Sequence, residues 1–216
     1  MTTPATIDIA TIPLLSGHHR DIIADNGGCI MDVVAFVAGT PGTDTPPCVS
    51  APLARAMQRL NDWMRDDERE LLRPYITRVQ DTVGTPEQDR ERAYICADWA
   101  CRTLMPLILR RINRQEDATR CEALAPVVDK ETSRVASAAM REQRKLLTGL
   151  YAAAADAAAA AAYAYAYAAY AAAAYAAAAA AYAAAAAPLA RRELITLRLQ
   201  LIDRLIAVTA PVEVTA

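Results

Sequence analysis

CIMDVVAFVAG, residues 29–39, carries one polar side chain, Asp32, and is bracketed by Gly28 and Gly39. A short run that is apolar on nearly all sides reads as a buried helix or as a central strand, and periodicity alone does not separate the two. The helix reading comes first, because Gly39 suits a C-cap and Asp32 would sit in a first turn where a carboxylate is favoured by the dipole. A central strand is the alternative. The neighbouring sequence tips the balance.

Downstream, TPGTDTPPC (40–48) is a proline-stiffened loop. Ser50 then reads as an N-cap, and Leu53, Met57, Leu60 and Met64 recur on one helical face. Asp66 and Asp67 open another short helix, with Glu70 placed for a capping box on Asp67 and a stop near Pro74. Thr85-Pro86-Glu87-Gln88 is the clearest start signal in the chain: cap, first-turn proline and a glutamine three after the cap. The helix it opens carries Tyr94, Ala97, Cys101, Leu104 and Ile108 on one stripe, and Pro106 is expected to kink it. A short helix around Glu116 to Ala125 precedes Pro126, and from about Asp129 to Pro188 only Gly149 interrupts helix formation. Upstream, residues 1–27 are loop-like. The class is all-α.

The long helical stretch includes a segment of extreme composition. Tyr151 to Ala187 is 37 residues long and holds 29 of the chain's 50 alanines, 7 tyrosines and Asp156. Alanine has the best helix propensity, so the tract predicts a rod of roughly 55 Å at 1.5 Å per residue. Tyr163, Tyr167 and Tyr170 share one face, and Tyr175 and Tyr182 a second, at i, i+4, i+7 and heptad spacings. No single stripe holds all seven, so the tract is coiled-coil-like without a strict seam. Ala157 to Ala190 is long enough to span a bilayer, but alanine is nearly neutral for insertion and no Leu, Ile, Val or Phe drives it. Helix–helix packing is the expected role.

After Pro188, Leu194, Leu197, Leu201, Leu205 and Val208 form one stripe, with Ile195, Leu199, Ile202 and Ile206 beside it. Arg191, Arg192, Arg198, Asp203 and Arg204 are assigned to the remaining face. So broad an apolar surface needs cover, from the tract folded back or from another subunit. The expected architecture is a compact helical bundle over residues 1–128, a long helix with the Ala/Tyr tract over 129–187, and a C-terminal amphipathic helix and tail over 188–216.

Composition narrows the function classes. The net charge is −2 and the 23 basic residues comprise 21 Arg and 2 Lys, which excludes a generally basic nucleic-acid binder. Arg110, Arg111, Arg114 and Arg120 cluster, but Glu116, Asp117 and Glu122 offset them. Seven glycines and two histidines leave little for dinucleotide or hydrolase motifs. No secretory signal is read in residues 1–16, and five irregularly spaced cysteines fit reduced thiols in the cytoplasm. His18, His19, Cys29 and Cys48 are the only metal-capable side chains close in sequence, without the paired spacing that fixes zinc. Cys96 and Cys101 lie about 140° apart on one helix and cannot both face one ion.

Residues 18–110 also carry a recognisable pattern. Cys29, Met31, Asp32, Ala35 and Gly39, then Asp44, Pro46 and Cys48, then Asn61 and Asp62 fall into one block, followed by a D-D-x-x-R-x-x-L-x-P-like run from Asp66. The block resembles an uncharacterised protein family of actinobacteria and their phages, whose members carry a later Ala-rich helix studded with Tyr, Trp or Asp. The resemblance implies such a source and brings no activity with it, though it joins His18, Cys29 and Cys48 in one recurring block. Thr45 stands where the pattern usually has His, so a ligand role for that His would leave one position empty here.

The expected function is a non-catalytic structural or protein-interaction role. Its surface would be Tyr163, Tyr167, Tyr170, Tyr175 and Tyr182 with Leu194, Leu197, Leu201 and Leu205. The partner is a protein or a second copy of the chain, with no cofactor, nucleic acid or membrane expected. The alternative is a small metal-binding or enzymatic module built on His18, His19, Cys29 and Cys48.

Overall fold

The computed structural model describes residues 9–111, 113–147 and 188–208. Among the described residues there are helices and no strand; one isolated bridge joins Leu14 to Gly28. The chain is all-α. It divides into two compact units, Met1–Val83 and Gly84–Ala216.

In the first unit, α1 (Ile30–Val37) is the apolar run that opened the question. Cys29 is its N-cap: the Asp32 amide donates to Cys29 Sγ at 3.4 Å, and Asp32 Oδ2 accepts from the Cys29 amide at 2.9 Å. A thiol thus stands where a capping box normally has a hydroxyl. At the other end Gly39 adopts φ +73°, the Gly39 amide donates to Phe36 O and the Thr40 amide to Ala35 O, which closes a Schellman motif. Ile30 to Ala35 are all buried, so the helix is covered all round. That is why the run showed no amphipathic period.

Helix α2 (Ala51–Trp63) packs on α1 through the expected stripe, Leu53, Met57 and Leu60, with Met64 just beyond. Burial of such side chains contributes about 1.5–3 kcal/mol each. Ser50 occupies the N-cap position without a side-chain cap bond. Pro52 at the second helical position has no N–H to give, and the Ser50 amide instead donates to Thr82 Oγ1 at 3.2 Å. Helix α3 (Asp66–Arg69) starts at Asp66 as read, but with a different capping box. Glu68, not Glu70, reaches back to its cap, accepting from the Arg65 amide at 2.8 Å, while Glu70 pairs with Arg73. The helical segment stops at Leu72, close to Pro74 as read, and Pro74 opens the next one. It sits at the N-cap of α4 (Tyr75–Arg78), which packs on α1.

The second unit opens with α5 (Pro86–Trp99), capped as read: the Thr85 amide donates to Gln88 Oε1 at 2.7 Å and the Gln88 amide to Thr85 Oγ1 at 3.3 Å. A π turn, Ala100–Leu104, joins it to α6 (Met105–Arg111), with the Met105 amide donating to Ala100 O. The expected disturbance at Pro106 takes this form. Widening the ladder ahead of the proline is one way to accommodate its clash with the carbonyl four residues back. Helix α7 (Gln115–Glu122) packs against α6. Helix α8 (Lys130–Leu147) buries a narrow face of Ser133, Ala136, Ser137 and Met140.

Helix α9 (Pro188–Ile206) packs on α5. Leu194, Ile195, Leu201, Ile202 and Leu205 are buried, while Leu197 and Leu199 lie at the edges. Arg198 differs from expectation: it is fully buried, at 0% exposure, inside the apolar stripe. At 100° per residue it lies only 40° from Leu194, so the helix geometry leaves it no place on the outer face. The Ala/Tyr tract, with Tyr163, Tyr167, Tyr170, Tyr175 and Tyr182, lies outside the described residues, as does its expected packing against α9. No helix among the described residues is long and apolar enough to cross a membrane.

Candidate functional site

The site begins with Asp32, which is 2% exposed and lies at the start of α1. Beyond capping its own helix, its carboxylate accepts from three donors: the Cys29 amide at 2.9 Å, the His19 amide at 2.9 Å and His18 Nδ1 at 2.7 Å. A carboxylate accepts only, so His18 donates from Nδ1, and in the neutral ring Nε2 is then the acceptor. His18 Nε2 has no hydrogen-bond partner among the described residues.

The loop that delivers His18 is fixed at both ends. The Leu15 amide donates to Gly28 O at 2.8 Å and the Gly28 amide to Pro13 O at 3.1 Å, which draws residues 13–15 alongside the start of α1. Gly27 makes this approach possible: its φ is +142°, and a Cβ there would lie 2.7 Å from Pro13 O. Asn61, on α2, holds the arrangement together, donating to Leu15 O at 2.8 Å and accepting from the Ile30 amide at 3.2 Å. Its neighbour Asp62 accepts from the Gly17 amide at 2.8 Å.

These contacts leave a polar pocket of about 200 Å³ lined by His18, Cys29, Asp44, Arg55, Gln58, Arg59 and Asp62, with Gly17. It has room for roughly six or seven waters at about 30 Å³ each. Gln58 is anchored by Nε2 donating to Asp44 O at 2.5 Å. The Cys29 thiol is pushed up far above the ordinary range by burial and by the Asp32 charge beside it. It therefore stays protonated and is a poor nucleophile. The chemistry open to the site is polar binding and proton transfer at His18 Nε2.

The other sequence candidates divide clearly. His19 gives Asp32 its backbone amide, but its ring turns to its own loop, Nε2 against Ser16 O at 3.2 Å and Nδ1 3.6 Å from Asp25. Cys48 is half-buried and does not line the pocket; its carbonyl receives the Thr82 amide at 3.1 Å. Among the described residues no three His, Cys, Asp or Glu side chains are grouped to hold a metal ion. Cys96, Cys101 and Cys121 are buried free thiols, pushed up by burial to about 12, about 12 and about 11. The arginines of α6 and α7 are engaged: Arg110 with Glu122, and Arg114 and Arg120 with the buried Asp117, whose carboxyl lies below the usual range. Of the interaction stripe, Leu194, Leu201 and Leu205 are buried within the second unit.

Sequence reading missed the α2 half of the site. Arg55, Gln58 and Arg59 look like any polar face opposite Leu53, Met57 and Leu60. Of the residues singled out in the sequence, Cys29, Asp44 and Asp62 line the pocket, while Asp32 and Asn61 hold the elements beside it. No family model, curated protein or solved structure matches the chain.

Proposed function

We propose that the first unit is a small-ligand binding module with acid–base capacity, centred on His18. The observation that carries this reading is the buried Asp32 carboxylate on His18 Nδ1 at 2.7 Å. It orients the ring through Nδ1 at the edge of a pocket that His18 lines, and Nε2 has no hydrogen-bond partner among the described residues. A His–carboxylate pair of this kind accepts a proton from a bound hydroxyl, water or ammonium, or holds such a group in place. A thermal-shift screen of the full chain against small polar ligands tests it. Stabilisation by a ligand in the wild type and its loss in His18→Gln is the expected pattern. An inert screen, or hits indifferent to His18→Gln, overturns the proposal.

A second reading keeps an interaction role for the other unit. Val128 is 67% exposed in a groove of about 340 Å³ lined by Tyr94, Ile95 and Val127 and by the charged Glu87, Arg90 and Glu91. Exposed apolar side chains rimmed by charges suit a protein partner. Self-association through the Ala/Tyr tract belongs to the same reading. Analytical ultracentrifugation is expected to show a dimer or larger species that is lost on deleting 151–187. A monomer at high micromolar concentration in both forms sinks it.

A further inference from the structure

We propose that the pocket beside His18 takes a small oxyanion, a phosphate or carboxylate group, held by Arg55 and Arg59; this rests on reading that pocket as a ligand site. The two arginines lie one turn apart on the outer face of α2, both are exposed, and neither makes a hydrogen bond or ion pair among the described residues. The Arg20 and Arg65 side chains in the same unit share this state among the described residues, but only Arg55 and Arg59 also line the pocket. Arginines with an acid three residues away pair with it repeatedly: Arg69 with Asp66, Arg73 with Glu70, Arg90 with Glu87, Arg114 with Asp117. Arg59 has Asp62 at the same spacing and does not pair with it. Asp62 instead accepts at Oδ1 from the Gly17 amide at 2.8 Å and from Asn61 Nδ2 at 3.4 Å, which ties the loop carrying His18 to the helix that carries both arginines.

Two guanidinium groups one turn apart repel, and each presents a planar fork that fits a carboxylate or phosphate edge. An oxyanion between them removes the repulsion and uses both forks, in a pocket that His18 also lines. Asp44 and Asp62 set the limit. Both line the pocket, the Asp44 carboxylate makes no hydrogen bond among the described residues, and both charges oppose an anion.

Titration of the full chain with inorganic phosphate, and in a second arm with acetate, tests the assignment by two-dimensional NMR at low salt. Saturable shifts at Arg55, Arg59 and His18 are expected with phosphate, with acetate the weaker. Arg55→Gln and Arg59→Gln should each weaken binding by about tenfold, the loss of one charge-assisted contact. Asp44→Asn should strengthen it, and added salt should weaken it. Both arginines are exposed, so their replacement leaves the core of α2 intact. The absence of saturable shifts with either anion overturns the proposal, as does binding unchanged in the Arg55→Gln/Arg59→Gln double variant. A neutral ligand that stabilises the wild type and not His18→Gln, with both anions inert, overturns the oxyanion and keeps the ligand site. Anion binding lost in the arginine variants while every ligand ignores His18→Gln does the reverse.

Discussion

Replacing Asp32 separates the two roles that the structure gives one carboxylate. In Asp32→Ala three donors lose their shared acceptor: the amides of Cys29 and His19, and His18 Nδ1. The Cys29 contact is buried, and an unmet donor there costs about 1–3 kcal/mol. The His19 and His18 donors are part-buried, so water replaces some of the loss and each is worth about 0.5–1 kcal/mol. A first-turn carboxylate adds about 0.5–1 kcal/mol through the helix dipole. The relief of desolvating a charge works in the opposite direction. The net destabilisation of the first unit is therefore about 3 kcal/mol, a large part of the roughly 5–15 kcal/mol that holds a domain. Asp32→Asn behaves differently. Two backbone donors meet on Oδ2, so the amide oxygen must take that place and the NH₂ group must face His18. His18 Nδ1 then accepts, and the ring proton moves to Nε2. The fold survives at a cost of about 1–2 kcal/mol, but the open acceptor in the pocket becomes a donor. Urea unfolding followed by Trp63 in a Trp99→Phe background reports the first unit, and long-range ¹⁵N spectra of His18 report the tautomer. Asp32→Ala within about 0.5 kcal/mol of the parent would refute the packing argument. Asp32→Asn with the proton still on Nδ1 would refute the tautomer argument.

Two further outcomes concern the second unit. The buried Arg92 donates from Nε to Leu205 O at 3.0 Å and from NH2 to Val208 O at 2.6 Å, meeting carbonyls at the end of α9. Arg92→Met should cost about 2–4 kcal/mol and speed amide exchange in the last turn of that helix, whereas exchange unchanged there would show that the contacts carry little. The thiols of Cys96, Cys101 and Cys121, raised to about 12, about 12 and about 11, make a pH prediction. The folded state keeps protons that the unfolded state loses from about pH 8.5 upward, so this stability is complete below that value and falls as pH rises toward 11–12. Each thiol contributes a slope of roughly 1.4 kcal/mol per pH unit. Unfolding measured between pH 8 and 11 should show the decline, and Cys96→Ala should flatten it; identical slopes would count against burial as the cause.

The elements were more legible than the site because they rest on local chemistry. Thr85-Pro86-Glu87-Gln88 could be read because its cap and first turn are four consecutive residues. The Leu53, Met57, Leu60 and Met64 stripe could be read because helical spacing alone sets it. Ser50 stands at the N-cap as read, though without a side-chain cap bond. The Asp67–Glu70 box misled because several residues near a helix start can cap it, and the choice depends on what else is in reach. Thr82 supplied a partner for Ser50 from 32 residues away. Arg198 misled because residue type was weighted above azimuth, although its angle already placed it in the buried face.

The pocket depends almost entirely on contacts of the Thr82 kind. Asp32 reads as a helix-start carboxylate and is one, and nothing local says that His18 will reach the same oxygen pair. That meeting requires the Leu14–Gly28 bridge, which brings residues 13–15 beside α1, and Asn61, whose one amide group ties Leu15 to Ile30. Asp62 accepts from the Gly17 amide, so the loop that presents His18 is anchored on the helix that carries Arg55 and Arg59. A pocket that joins an oriented imidazole to unpaired guanidinium groups follows from that anchoring, and no spacing within α1 or α2 alone could have announced it.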